Sequence, residues 1–449
     1  MSRLHHRCAG VLLNAMLLLV TLGPALAVDR EAKVRDDRRL LEKNDHWVYN
    51  DLPKAFAEAK RTDKPLLVVF RCIPCEACSN FDDMVVAREP RIRRLMDQFV
   101  CVRVPQANGM DLSLYQFDYD MSLAMFLMRA DGTIYGRFGT RSGQKDEDHE
   151  MTIDGFAKAL ICGLEMDEEF DRFKPQLVGK RGSDVSVAKP EDHAWLKGKY
   201  TDRLDYEGNV VKSCIHCHQV RESQRMTIRA EGKPIPDDLL YPWPNPSVLG
   251  LRLDPNECAT VKDVAAGSPA EAAGFRAGDE LITVNGQRPI SIADVQWVLH
   301  TAENDSEMKA VVKRGGSKGE TLSLTLPLAD GWRRHVNISW RATTWDLRRI
   351  AFGGMWLEAV TATQRSEHGI AEDRLALHVK HVGQYGDHAK AKQAGFQKGD
   401  IVIEFDGDDL SRTESDLIAT TLNGKKPGSK ITVKVVRGKE RLSMTLPIQ

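Results

Sequence analysis

The chain has 449 residues with 63 lysines and arginines against 64 aspartates and glutamates, so no net field draws it to nucleic acid or to an anionic membrane. That length accommodates roughly three or four domains with ordinary cores. Nine cysteines are too few for a disulfide scaffold, and five of them fall in two tight clusters, which points to chemistry rather than stapling.

Residues 1–27 read as a signal peptide. Arg3 and Arg7 form a positive start, Val11 to Leu22 is almost wholly apolar, and Ala25-Leu26-Ala27 supplies a small-x-small cleavage pattern. The apolar stretch is short for a membrane span, and no other segment approaches spanning length. The expected mature chain is extracytoplasmic (periplasmic or secreted), without a membrane span, where disulfides and haem attachment are both permitted.

Residues 46–165 form the first expected unit. Leu52 to Lys60 has helical spacing, and Pro65 to Phe70 is a continuous apolar run that reads as a buried strand. Cys72, Cys75 and Cys78 follow directly, then a helical stretch from Ser79. Phe99 to Val104 is a second strand. Ala124 to Met128 and Thr133 to Phe138, joined through Ala130-Asp131-Gly132, read as a hairpin, and Ile153 to Leu164 as a helix.

Strand, helix, strand, hairpin, helix, with cysteines after the first buried strand, resembles a thioredoxin-like domain. Counted from Phe70, the pair in the family's catalytic position is Cys75-Glu76-Ala77-Cys78, which implies Cys75 as nucleophile at a helix N-terminus and Cys78 as resolving thiol. Cys72-Ile73-Pro74-Cys75 overlaps it, so Cys75 has two possible partners. The chain departs from the family at Leu123 or Ala124, where a cis-proline would face the cysteines, and at Glu76, whose carboxylate opposes a thiolate. A structural disulfide or a soft-metal site are the other readings, although no His or Met flanks the run. Cys101 and Cys162 sit in apolar patterns and read as core.

Residues 174–190 turn polar and read as a linker. The segment 191–246 carries Cys214-Ile215-His216-Cys217-His218, a C-x-x-C-H run. This spacing lets two thiols add to one haem while the histidine supplies an axial nitrogen. It resembles the attachment site of c-type cytochromes, over the motif alone. That implies haem c held by Cys214, Cys217 and His218. A second axial ligand would come from His193 or Met226, or the iron would be five-coordinate. Tyr241-Pro242-Trp243-Pro244 would pack a haem edge or stiffen the path to the next unit.

The C-terminal half repeats itself. Ala273-Gly274-Phe275-Arg276-Ala277-Gly278-Asp279 returns 121 residues later as Ala394-Gly395-Phe396-Gln397-Lys398-Gly399-Asp400. Each copy is followed by a hairpin turn, Asn285-Gly286 and Asp406-Gly407, and then by a helix. Both copies, 247–328 and 351–449, resemble PDZ domains. The resemblance places carboxylate-binding loops at Leu249-Gly250-Leu251 and Gly354-Met355-Trp356, where a peptide of a partner protein adds as a strand. The insertion Val360 to Ile370 resembles PDZ domains of HtrA-type periplasmic proteases. No Gly-x-Ser-Gly-Gly nucleophile segment occurs, so proteolysis is not implied. Trp332, Trp340 and Trp345 in the connector 329–350 read as glue between the units, and Cys258 as a free thiol in a loop.

The expected fold is therefore multidomain: an α/β thioredoxin-like domain, a short haem-binding segment and two mainly-β PDZ domains. The expected function is that of an exported redox and adaptor protein. It would exchange disulfides with a redox partner protein and hold protein partners through its PDZ domains. The rival reading is a non-catalytic PDZ scaffold with a structural disulfide.

Overall fold

The computed structural model describes residues 29–75, 78–87, 89–143 and 150–449. The signal-peptide reading lies outside them. No described helix is long and apolar enough to cross a membrane.

Five strands build the N-terminal sheet: β1 (Trp47–Tyr49), β2 (Leu66–Arg71), β3 (Val100–Val104), β4 (Leu123–Met128) and β5 (Ile134–Phe138). Their order is β1-β3-β2-β4-β5, with β1 and β2 parallel to β3 and the β2–β4 and β4–β5 pairs antiparallel. All six residues of β2 are buried, as a continuous apolar run requires when both faces of its sheet are covered. One face, carrying Leu67, Val69, Met125 and Leu127, packs on Phe81, Val85, Ile92, Phe156 and Leu160 from the helices Ser79–Val86, Pro90–Met96 and Ile153–Glu168.

The other face does not end at the domain boundary. Val68, Phe70, Phe126 and Met128 share one core with Ile215, Val220 and Trp243 of the middle segment and with Val295, Trp297 and Leu299 of the first repeat unit. The middle segment is thus a wedge between two bodies rather than an independent domain. The expected linker is packed as well. The Phe170–Leu177 helix and the turn 178–180 lead to Lys180, which is fully buried and bonds Asp294 Oδ2 at 2.7 Å. A buried ammonium needs such a partner, and the linker's polar composition gave no sign of one.

The first repeat unit pairs β6 (Leu251–Leu253) with β7 (Val261–Val264), and orders β8 (Glu280–Val284), β9 (Ser306–Arg314) and β10 (Glu320–Leu328) as β10-β9-β8. The second forms a five-stranded antiparallel sheet of β11 (Met355–Ala359), β12 (Leu377–Val382), β13 (Ile401–Phe405), β14 (Lys430–Arg437) and β15 (Glu440–Pro447), in that order. The two repeats share one device. Asp279 binds Arg314 and Asp400 binds Arg437, while each arginine also reaches the carbonyl of the repeat glycine, Gly274 or Gly395. Those glycines have φ of 90° and 97°, a region costly to residues with a Cβ.

The connector tryptophans separate. Trp332 joins the core shared with the first repeat unit, Trp340 packs with the N-terminal sheet's outer core, and Trp345 lies edge-on to Trp356. Beside them Arg341 runs back to the N-terminal domain and binds Asp118 at 2.6 Å and Asp120 at 3.2 Å, all three buried.

Candidate functional site: a dithiol facing the C-x-x-C-H run

β2 runs through Arg71, so Cys72 begins the turn that leaves the sheet. Cys72 N–H donates to Ser122 O at 2.8 Å, and Cys75 N–H donates back to Cys72 O at 3.0 Å. That closure is a β-turn, and it brings the side chains at its first and fourth positions together. The Cys72 and Cys75 sulfurs are 2.7 Å apart. Cys78 instead lies buried at the start of the Ser79–Val86 helix, with φ of 63°. The helix cap is therefore Cys78 and not Cys75, which corrects the expected placing, and of the two expected partners of Cys75 the described contact is with Cys72. The family spacing from Phe70 misses the one further strand residue, Arg71, and the turn that follows it. Glu76 lies outside the described residues.

A buried charge network holds the turn from behind. Arg71 donates to the carbonyls of Cys72, Cys75 and Ser122, and its Nε donates to Asp82. Asp82 also accepts two hydrogen bonds from Arg103, at 2.7 and 2.9 Å, and Arg103 reaches Asp37. Sequence reading passed over these residues. The available signal was an arginine at the end of one apolar strand and another inside the next, since such charges are buried only when paired.

The C-x-x-C-H run closes over this turn from 144 residues away. Asn108 accepts from Ile215 N–H at 2.8 Å, Ala107 N–H donates to Ile215 O at 2.9 Å, and Gln219 accepts from His216 N–H at 2.8 Å as the Cys217–Ala230 helix begins. His216 Nδ1 then lies 3.1 Å from Cys72 Sγ. The His216 and His218 rings stack with centroids 5.5 Å apart, and His218 Nδ1 is 3.0 Å from Glu222. Burial opposes a charge on His218, but the Glu222 carboxylate outweighs it and raises its pKa.

The electrostatics single out one thiolate. The hydrogen bond from Cys72, then that from His216, and the charges of His216 and His218 pull Cys75 down to about 4 against burial. The same bond to Cys75, with burial and the Cys75 charge, pushes Cys72 far up. Burial first, and then the neighbouring thiolates, push Cys214 and Cys217 up to about 12. Both thiols of the run therefore belong to the same electrostatic centre as Cys75.

The ligand atoms of Cys72, Cys75 and His216 all lie within 4.8 Å of one another. The soft-metal reading lacked a flanking histidine in the sequence, and the fold supplies one. For haem c the fit is poor. Cys214 is 5 % exposed, and the charge of Cys75 reaches both thiols of the run. Met226 packs into the core of the second repeat unit, and Trp243 stacks on His300 at 4.9 Å. His193 is buried, burial lowers its pKa, and its Nε2 has no hydrogen-bond partner among the described residues.

The expected peptide loops differ in access. Leu249, Gly250 and Leu251 are buried, and the Ile292–Thr301 helix of that unit is pressed onto β5, where Arg137 N–H donates to Asp294. Gly354 has φ of 89° and Met355 is fully buried, whereas Trp356 lines an open groove of about 720 Å³ with Glu358, Ala359, Arg365 and Arg412. Within that groove the Leu357 N–H donates to Glu414, whose carboxylate is clamped by Arg348.

A thioredoxin-like family model matches residues 47–130, and PDZ-domain models match 260–314 and 387–448. The chain is thus a multidomain protein with a thioredoxin-like domain and two PDZ domains. Among solved structures it is similar to a variant of the HtrA-type protease AlgW with a decapeptide: 15 % identity over 32 % of this chain and 48 % of that one, TM-score 0.20. AlgW with a tripeptide gives 16 % identity over 32 % and 53 %, TM-score 0.19. The chain spans about half the length of these structures. No curated protein matches.

Proposed function

We propose that this chain is an exported thiol–disulfide exchange protein that acts through Cys75 and Cys72 and engages protein partners through its second PDZ domain. The observation that carries this reading is the 2.7 Å pair of thiols with His216 at 3.1 Å from Cys72. Export rests on the reading of residues 1–27.

In this mechanism the Cys75 thiolate attacks one sulfur of a partner's disulfide, and the other sulfur leaves as a thiolate. His216 passes its proton to the departing partner sulfur; Cys72 then gives its own proton to His216 Nδ1 and attacks the Cys75 sulfur. The partner departs fully reduced, and the domain carries a Cys72–Cys75 disulfide. Two electrons have passed to the partner, and reversal transfers them back. Of the two PDZ grooves, the one beside Trp356 is the candidate for an extended peptide, which would displace Glu414 from the Leu357 N–H.

The test is alkylation of the fully reduced protein by iodoacetamide between pH 3 and pH 9, read by peptide mass spectrometry. Cys75 is expected to label with a midpoint near 4 and so react fully at pH 6, with Cys214 and Cys217 unlabelled there. Labelling of Cys75 only above pH 8 would falsify the thiolate assignment. Folding lowers this pKa from an ordinary thiol value of 9.0. The thiolate therefore stabilises the reduced fold above that value, and the gain is lost as pH falls through about 4.

Covalent haem c on Cys214 and Cys217, with His218 as axial ligand, is the competing proposal for the run, and no step above passes through it. Expression with a c-type haem maturation system separates the two. The dithiol reading expects no haem c bands in the reduced absorption spectrum. Bands resistant to acid-acetone extraction and lost in Cys214→Ala/Cys217→Ala would assign the run to haem.

A further inference from the structure

Two of the cysteines outside the two clusters make a further pair. Cys162 lies on the Ile153–Glu168 helix of the thioredoxin-like domain, and Cys258 in the loop between β6 and β7 of the first PDZ domain. By sequence alone Cys162 is expected in the core and Cys258 as a free loop thiol. In the fold their sulfurs are 2.8 Å apart, across a sequence separation of 96 residues.

We propose that Cys162 and Cys258 form a disulfide that fastens the thioredoxin-like domain to the first PDZ domain. The loop is already docked where the bond would form. Thr152 Oγ1 donates to Pro255 O at 3.0 Å, Lys158 pairs with Glu257, and Arg288 reaches Glu165 at 3.3 Å. The approach is so close that a Cβ on Gly155 would lie 2.0 Å from the Pro255 carbonyl oxygen. Closing the bond therefore demands little further ordering of either backbone. Both thiols also line a solvent-connected cavity with Glu257, Arg288 and Lys313, so an oxidant can reach them.

The chemistry has a direction. The Cys258 thiol bonds to Cys162, and the Arg288 charge lies beside it. Both pull the Cys162 pKa down, while the same bond and burial push Cys258 up. Cys162 is the first nucleophile. It attacks the disulfide of an external oxidant and forms a mixed disulfide as the oxidant's first thiolate leaves. Cys258 then loses its proton to solvent and attacks the Cys162 sulfur, and the second thiolate leaves. The protein's two thiols are oxidised by two electrons, and the oxidant's disulfide becomes two thiols.

The bond would close a long loop and so stabilise chiefly by restricting the unfolded chain. It would also hold the Ile292–Thr301 helix against β5, keeping the first PDZ unit in its scaffolding position.

The experiment uses the full chain produced in an oxidising compartment, alkylated without reduction and digested. We expect a Cys162–Cys258 cross-linked peptide that is absent from Cys258→Ser. We also expect Tm to fall by several degrees on reduction in the wild type, and the reduction-dependent part to shrink in Cys162→Ser/Cys258→Ser. Quantitative alkylation of both residues in the oxidised protein would overturn the proposal. The redox reading is tested separately by the alkylation profile of Cys75: alkylated 162 and 258 with a Cys75 midpoint near 4 sink only this inference, and a linked 162–258 peptide with Cys75 labelling only above pH 8 sinks only the other.

Discussion

Cys75→Ser is expected to bring disulfide exchange down to the uncatalysed background, whereas Cys78→Ser keeps most of it. Cys72→Ser should still attack but accumulate a mixed disulfide, because the thiol that resolves it is gone. The reasoning is geometric: the sulfur beside Cys75 belongs to Cys72, and Cys78 sits buried where the helix begins. His216→Ala removes the proton acceptor of Cys72 and part of the field on Cys75. It should slow the reaction by roughly 10²-fold, the ordinary reach of one acid–base group. An insulin-type reduction assay, with intact-mass detection of trapped adducts, reads all four variants. Trapping in Cys78→Ser instead of Cys72→Ser would return the resolving role to Cys78.

Arg341→Met is expected to cost about 3–5 kcal/mol, because it strands the buried carboxylates of Asp118 and Asp120. Both lie on the N-terminal domain, so the loss falls on the junction of three bodies. Thr343 N–H and Pro242 O complete that junction through bonds to Asp120 and Arg341. The pH dependence carries a sign. Burial works against the Asp120 charge, yet Arg341 and Arg221 hold its pKa down to about 2, so the wild-type clasp is lost only as pH falls towards that value. In Arg341→Met the Asp120 carboxylate loses its main partner and gains by protonation. The gap between variant and wild type should therefore be widest at pH 7 and shrink below about pH 4. Urea transitions at both pH values measure this. A gap that widens on acidification would mean that the arginine serves packing rather than charge.

Much of the fold was legible because its signals are local. The apolar run to Phe70 identifies a strand covered on both faces whatever covers it. The glycines of the Ala-Gly-Phe repeats mark backbone positions that need positive φ, and the Asp after each second glycine has its arginine waiting on the second strand that follows. The Cys72–Cys75 spacing was legible as one of two options. Choosing between the options required knowing where β2 stops, and a one-residue difference at a strand end leaves no trace in periodicity.

The polar linker misled for a related reason. Composition reports what a residue costs to bury, not whether a partner pays that cost, and Lys180 has Asp294.

By itself, then, the sequence determined the class of each unit: a thioredoxin-like domain, two PDZ domains and a C-x-x-C-H run between them, each encoded in neighbouring residues. Only the tertiary structure decided which groups meet. His216 reaches Cys72, Cys162 reaches Cys258, Arg341 reaches Asp118, and the helix that should flank the first peptide groove is buried on β5. Periodicity states which face of an element is apolar or charged, whereas the surface that covers that face is set by packing between elements far apart in the chain.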